Sequence, residues 1–417
     1  MIGTGKQVAL DLCEFIDSSP SPFHAVNSAS GRLLEAGFSE AESLTDFDEK
    51  RPVFLRRDGA LIAVNRPKNS AKAVRVVGAH TDSPNLRLKP IFESNKNGWR
   101  SLGVETYGSI LNNSWLDRDL GCSGRLITKS QDGFIEKLCR LNEPIARIPQ
   151  LAIHLDREVN EKGLVLNRQD HMQPVLGIED GLSLLEKLAE TVDISAKDVL
   201  SFELMLHDLT PSTLSGINQE FISASRIDNL LSCHAAVNSL IAVSDSESDF
   251  LQVVVLYDHE EIGSTSSTGA LGPLLKKVLD ICSDDSTLFA DSSLMISADC
   301  AHGTHPNYPE RHDVDHQIRL NHGPALKHNA NVRYATDGPG AALVKLAAEK
   351  TSVPLQTFVS RSDMPCGSTI GPLAAASTGI RTVDLGAPQL AMHSAREMCG
   401  SEDPRYLVSL LTNLLQE

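Results

Sequence analysis

The chain has 417 residues, 41% of them apolar and 22% charged, the profile of a globular protein long enough for two domains. Its formal net charge is −16, from 54 Asp and Glu against 38 Lys and Arg. That sign argues against nucleic acid and anionic membrane as partners, since both are bound through clustered cations. Eight scattered cysteines with no CxxC pair suit reduced thiols better than a disulfide framework. The first residues, Met1 to Lys6, lack the apolar stretch of a secretory signal, and no run of about 18 apolar residues reads as a membrane span. The expected location is cytoplasmic.

In chain order, residues 6–18 place Val8, Leu12, Phe15 and Ile16 on one helical face. The Ser-Pro-Ser-Pro at 19–22 stops that helix, and Pro22 opens a second one to about Ala36. Residues 53–55 and 61–64, joined around Asp58-Gly59, predict a hairpin, and 74–79 a strand ending at His80. The next stretch differs in character. Residues 126–129 and 134–138 flank Gln131-Asp132-Gly133, a second hairpin signal, while 148–155 and 201–206 predict further strands around a polar loop region. From Asp228 onward, helical patterns at 229–243, 273–281 and 338–350 alternate with short apolar strands, and the chain after Gly263 points to a further helix. The reading is α/β: a wound mixed sheet with helices on both faces, built from residues 1–90 and 223–417. Residues 91–222 form an inserted β-rich domain.

Five clusters carry the chemistry: His80-Thr81-Asp82, Asp228-Asn229, Glu260-Glu261, Asp299-Cys300-Ala301-His302 and Met392-His393-Ser394. Four of them follow an apolar run that reads as a strand. In an open α/β sheet the carboxyl ends of the strands form the ligand-binding edge. One such cluster alone would be an ordinary solvated strand end. Five of them, rich in imidazole and carboxylate and without a thiolate cluster, point to a site for zinc or a similar dication. The two-residue spacing of His80 and Asp82 puts both on one face of an extended segment, where Asp82 can orient a metal-bound imidazole. Adjacent Glu260 and Glu261 point apart, so one suits the metal and the other a general base. His259 reads as a local hydrogen-bonding residue.

These segments resemble the aspartyl aminopeptidases, a family of co-catalytic dinuclear metallopeptidases. The resemblance rests on residues 77–84, 225–230, 258–264, 299–302 with 305–308, 365–372 and 384–394. It implies two divalent cations per subunit, zinc first, with cobalt or manganese accepted by the same donors. Asp228 would bridge them, His80 and Asp299 completing one and Glu261 and His393 the other. Glu260 would be the general base, and Asp82 would orient His80. Asp117, in Trp115-Leu116-Asp117-Arg118-Asp119, is the rival bridge; its bland reading is a salt link to Arg118 or Arg125.

The resemblance further implies removal of N-terminal Asp or Glu from peptides, with Lys327 and Tyr334 holding the acidic side chain. His302 would bond the tetrahedral intermediate, and His154 would reach a neighbouring subunit's active site unless it is a core histidine on its strand. It also implies a large homo-oligomer of twelve subunits, with the insertion making dimer contacts. A deacylase or carboxypeptidase on the same scaffold is the alternative, because a fold and its metals do not fix a substrate.

Overall fold

The computed structural model describes every residue except 1–2, 49–50, 179–180 and 289–290, so the first two residues of the N-terminal stretch read above lie outside it. Contacts divide the chain into two units. One comprises Met1–Asp82, Ser212–Met392 and Glu397–Glu417, the other Ser83–Pro211 and His393–Arg396. The division falls at 82/83 and 211/212, where the sequence suggested 90/91 and 222/223. Strand Asn85–Lys96 already pairs within the second unit's sheet, and strands Thr213–Ser215 and Phe221–Ala224 pair within the first unit.

The first unit is a mixed nine-stranded sheet. Its middle holds four parallel neighbours: Phe250–Tyr257, Ala73–His80, Leu294–Ala298 and Thr382–Gly386. These are short runs rich in β-branched and small residues, buried on both faces, as central parallel strands must be. Val77, Ala79, Val254, Leu256, Ile296 and Ala298 enter one core, shared with helices Gly5–Asp17, Pro22–Glu35, Ile227–Val243 and Asp403–Gln416. Val74, Val76, Val253, Val255, Tyr257 and Met295 enter the other, shared with Leu274–Cys282 and Ile370–Thr378. The strand period of two thus sorts side chains to opposite layers of helices. Thr4 opens the first helix with a capping box to Gln7, and Ser21 caps the second ahead of Pro22. A five-stranded sheet completes the unit, from Thr213–Ser215 through Phe221–Ala224, Glu397–Gly400 and Pro388–Leu390 to the edge strand Ala301–His302.

The second unit is a six-stranded antiparallel sheet running Gly133–Ala146, Leu120–Ser130, Val199–Asp208, Asn85–Lys96, Trp99–Tyr107 and Val175–Gly177. Leu86, Leu102, Leu120, Leu126, Leu204 and Leu206 form its core, with helix Leu184–Glu190 against it.

Two expectations fail. Residues 148–155 are not a strand: Ile148 makes one isolated bridge to Leu116, and turns follow. Pro149 lacks a donor, and Leu151, Ile153 and Leu155 are all exposed, so the apolar alternation there meets no core. The chain after Gly263 is not a helix either. Residues Glu260–Ile262 make a single 3₁₀ turn, Gly263 ends it with φ 98°, and the next helix starts at Leu274.

Candidate metal centre

His80 is the last residue of its strand and is 1% exposed. Its Nδ1 lies 3.0 Å from the Asp82 carbonyl oxygen, which fixes the proton on Nδ1 and turns the Nε2 lone pair away. Nε2 lies 3.4 Å from Asp228 Oδ1 and 3.6 Å from Asp299 Oδ1. Ligand atoms of His80, Asp228 and Asp299 all fall within 4.8 Å of one another, as do those of His80, Glu260 and Glu261. Burial works against a charged imidazole, yet Asp228, Asp299 and Asp82 together hold the His80 pKa well above its ordinary value. The pocket therefore favours positive charge. One imidazole nitrogen among carboxylate oxygens is a donor set that fits zinc.

Asp82 is fully buried and does more than face His80. Asp82 lies two residues past the strand's end, and its side chain lies next to that of His80, as the spacing suggests. It lies 3.4 Å from His80 Nδ1, and its two oxygens accept the backbone N–H groups of Glu260 and Glu261 at 3.1 Å each. The Glu pair leaves strand Phe250–Tyr257 through His259, whose φ of 63° is left-handed, while the His259 ring is held by Ser266 at 2.9 Å. A non-glycine residue in that region marks a turn held by its surroundings. Burial pushes the Glu260 carboxyl up to about 8; His80 draws it down, and Asp299, Asp82 and Asp228 raise it further.

Asp299 follows strand Leu294–Ala298, and its carbonyl packs against Gly386 so closely that a Cβ there would come within 1.7 Å. Lys327, read as a surface lysine when its residue type alone is weighed, is 2% exposed. Its ammonium donates to the Cys300 carbonyl at 2.7 Å and to Asp299 Oδ2 at 3.4 Å, and lies 5.4 Å from the Tyr334 ring centroid. Tyr334 is buried, with its hydroxyl directed to Cys366. His302 is exposed on its edge strand, its ring 6.2 Å from Phe358, which is also 6.2 Å from Tyr334.

Two expected site residues belong to the second unit. His393 has φ 66°, and its Nδ1 lies 3.1 Å from the Ser109 carbonyl, which puts the proton on Nδ1 as in His80. His154 is exposed in a turn, which corrects its bland reading as a core histidine on a strand. Asp117 makes neither expected salt link. It accepts from Gln150 N and Nε2 at 3.1 and 3.0 Å, while Arg118 pairs with Asp208 and Arg125 with Glu136 and Glu203.

The family model for aminopeptidase I zinc metalloproteases (M18) matches residues 15–414. The chain belongs to the M18 aminopeptidase family. It is 45% identical to the probable M18 family aminopeptidase 2 of Streptomyces coelicolor over 422 residues, 97% of each chain. With the protein of the same name from Mycobacterium leprae it shares 47% over 409 residues, 95% of each. Among solved structures, yeast aminopeptidase 1 matches with a TM-score of 0.86 and 30% identity, covering 99% of this chain and 97% of that one. The S. cerevisiae mApe1 dodecamer gives 0.86 and 30%, covering 98% and 96%. Ape4 in its complex with Nbr1 gives 0.94 and 36%, covering 99% and 86%.

In this M18 aminopeptidase, several residues that surround the proposed site had no role assigned from sequence. Glu397, 2% exposed, accepts the Asp228 backbone N–H at 2.9 Å. Asn229 donates to the Ala298 carbonyl at 2.8 Å, and Cys233 to the His80 carbonyl at 2.9 Å. Asp384, fully buried, accepts from Ser297 Oγ and Ala335 N at 2.6 Å each and from Thr369 Oγ1. Burial raises its pKa, against the pull of Lys327 and these donors. The only signal was position: each lies within a few residues of a cluster or in a resembling segment.

Proposed function

We propose that this M18 aminopeptidase removes acidic N-terminal residues, Asp or Glu, from peptides with two divalent cations per subunit. The supporting observation is the convergence of His80, Asp228, Asp299, Glu260 and Glu261 on one edge of the parallel strands. Asp228 would be the shared ligand, with His80 and Asp299 holding one cation and Glu261 and His393 the other. When bound, the cations supply Lewis acidity that polarises a carbonyl and acidifies water.

The chain's own groups do the rest. Glu260 takes the proton of the attacking water and returns it to the leaving amine. Asp82 holds His80 and the Glu260 turn in register. Two of the three Lys327 donors are engaged by Cys300 and Asp299, and the third receives the substrate's side-chain carboxylate beside Tyr334. His302 donates to the oxygen of the tetrahedral intermediate. The working particle is a homo-oligomer, a dodecamer as in mApe1, with His154 reaching a neighbouring copy. None of the eight cysteines is in a disulfide, which suits a reducing cytoplasm. The described residues include no helix long and apolar enough to cross a membrane.

Glu260→Gln keeps the shape and loses the proton acceptor. The expected result is a kcat lower by about 10³-fold with unchanged metal content. Unchanged hydrolysis removes Glu260 from the mechanism. A panel of aspartyl, glutamyl, alanyl and N-acyl substrates tests the rest, and preference for either of the last two overturns the acidic reading.

A further inference from the structure

A cavity of about 300 Å³ lies in the first unit, lined among others by His302, His305, Arg311, His312, Phe358 and Met392. His302 follows Asp299 by three residues, and Met392 directly precedes His393. Phe358, in the cavity wall, has its ring 6.2 Å from that of Tyr334, which the proposed function places in the acid-binding pocket. The cavity is at the small end for a ligand site and has room for one or two residues of a peptide.

Its polar lining is held in one chemical state. His312 Nε2 accepts the His305 backbone N–H at 3.1 Å, and His305 Nδ1 accepts the Asn307 backbone N–H at 3.1 Å. A ring nitrogen that accepts cannot carry the proton in a neutral imidazole. The donors these two residues can offer are therefore Nδ1–H of His312 and Nε2–H of His305. Arg311 is loosely tied, its nearest carboxylate being Glu310 at 4.0 Å, whereas Arg361 is closed by Asp363 at 2.6 Å. Burial and His305 hold His312 below its ordinary pKa, which agrees with the neutral form. Two N–H donors of fixed tautomer and an available guanidinium, with no Asp or Glu among the described lining residues, select an anionic acceptor despite the chain's overall negative charge.

We propose that this cavity binds a carboxylate on the leaving side of the scissile bond, through His305, His312 and Arg311. The source is the free C-terminus of a short peptide or the side chain of an acidic second residue. The inference rests on the aminopeptidase reading and adds a second recognition site to it, so that short acidic peptides are the preferred substrates.

The test crosses two variables in the intact oligomer with its metal. Asp-Ala, Asp-Ala-NH₂ and Asp-Glu-NH₂ are compared with Leu-Ala and Leu-Ala-NH₂. The wild type should show about tenfold lower KM for Asp-Ala than for Asp-Ala-NH₂, with kcat little changed. Restoration by Asp-Glu-NH₂ assigns the side chain as an accepted source; no restoration assigns the C-terminus. Arg311→Met, at a surface position safe for folding, and His312→Gln should erase the difference between acid and amide. Equal KM for acid and amide in both series, with Asp-Glu-NH₂ no better, overturns the cavity assignment and leaves the acidic reading standing. Preference for leucyl over aspartyl substrates sinks the acidic reading, and the acid-to-amide ratio on Leu-Ala still decides the cavity.

Discussion

The two units solve different problems with β-structure. In the first, central strands are buried on both faces, and His80, Asp258 and Asp299 stand at or just past the ends of three of them, so the sheet is the floor of the proposed site. In the second, an antiparallel sheet buries one core and leaves apolar side chains in water: Phe134, Ile135 and Leu138 on the edge strand Gly133–Ala146, and Leu151, Ile153 and Leu155 beyond it. A monomeric protein seldom leaves so many apolar groups in water along one edge strand and loop. The contrast teaches a division of labour. One unit gathers charges at strand ends, and the other exposes apolar side chains along an edge, which fits the proposed oligomer.

The largest expected effect tests that floor. Asp228→Asn removes the carboxylate on which the proposed metal pair depends, and bound metal measured by plasma emission should fall sharply, with activity down about 10³-fold or more. Full metal retention would show that the floor does not work through this residue. Next comes Lys327→Met, which replaces a buried ammonium by a chain of similar length. Aspartyl hydrolysis should fall about a hundredfold and alanyl hydrolysis much less. Equal losses would mean that the lysine serves Asp299 alone.

The exposed apolar edge of the second unit is probed by Phe134→Glu combined with Ile135→Lys. Both side chains are exposed, so the subunit fold should persist while light scattering reports a smaller particle. An unchanged mass would place the intersubunit contacts elsewhere.

The smallest effect concerns pH. Burial pushes the Asp403 carboxyl up to about 7, although the backbone N–H groups of Asn321, Gly323 and Gly400 pull it down. A carboxyl whose folded pKa is raised contributes stability that is present in full below its unfolded pKa and is lost as pH rises through about 7. Asp403→Asn should therefore flatten the decline in urea midpoint between about pH 4 and pH 7. An unaltered slope would assign the decline to other groups.

The same contrast explains what could be read from sequence. Strands ending at His80 and Tyr257 were legible because burial on both faces demands an unbroken apolar run, and a charge straight after it stands out. The pattern at 148–155 misled because its alternating apolar residues face solvent, and periodicity cannot distinguish a core from an uncovered surface. Glu397 and Asp384 had no assignable role, although Asp384 opens a resembling segment, since a lone carboxylate in a strand has no spacing to betray its partner. Their roles exist only once Asp228 N and Thr369 are brought beside them.

One carboxylate has a consequence for variation in this chain. Because the Asp82 carboxylate lies beside the His80 ring and accepts the peptide N–H groups of Glu260 and Glu261, the proposed ligand and the proposed proton acceptor share one neighbour. A relative that shortened Asp82 or moved it by one residue could not retune one function while sparing the other, so drift at this position is tolerated only if the whole catalytic edge is rebuilt.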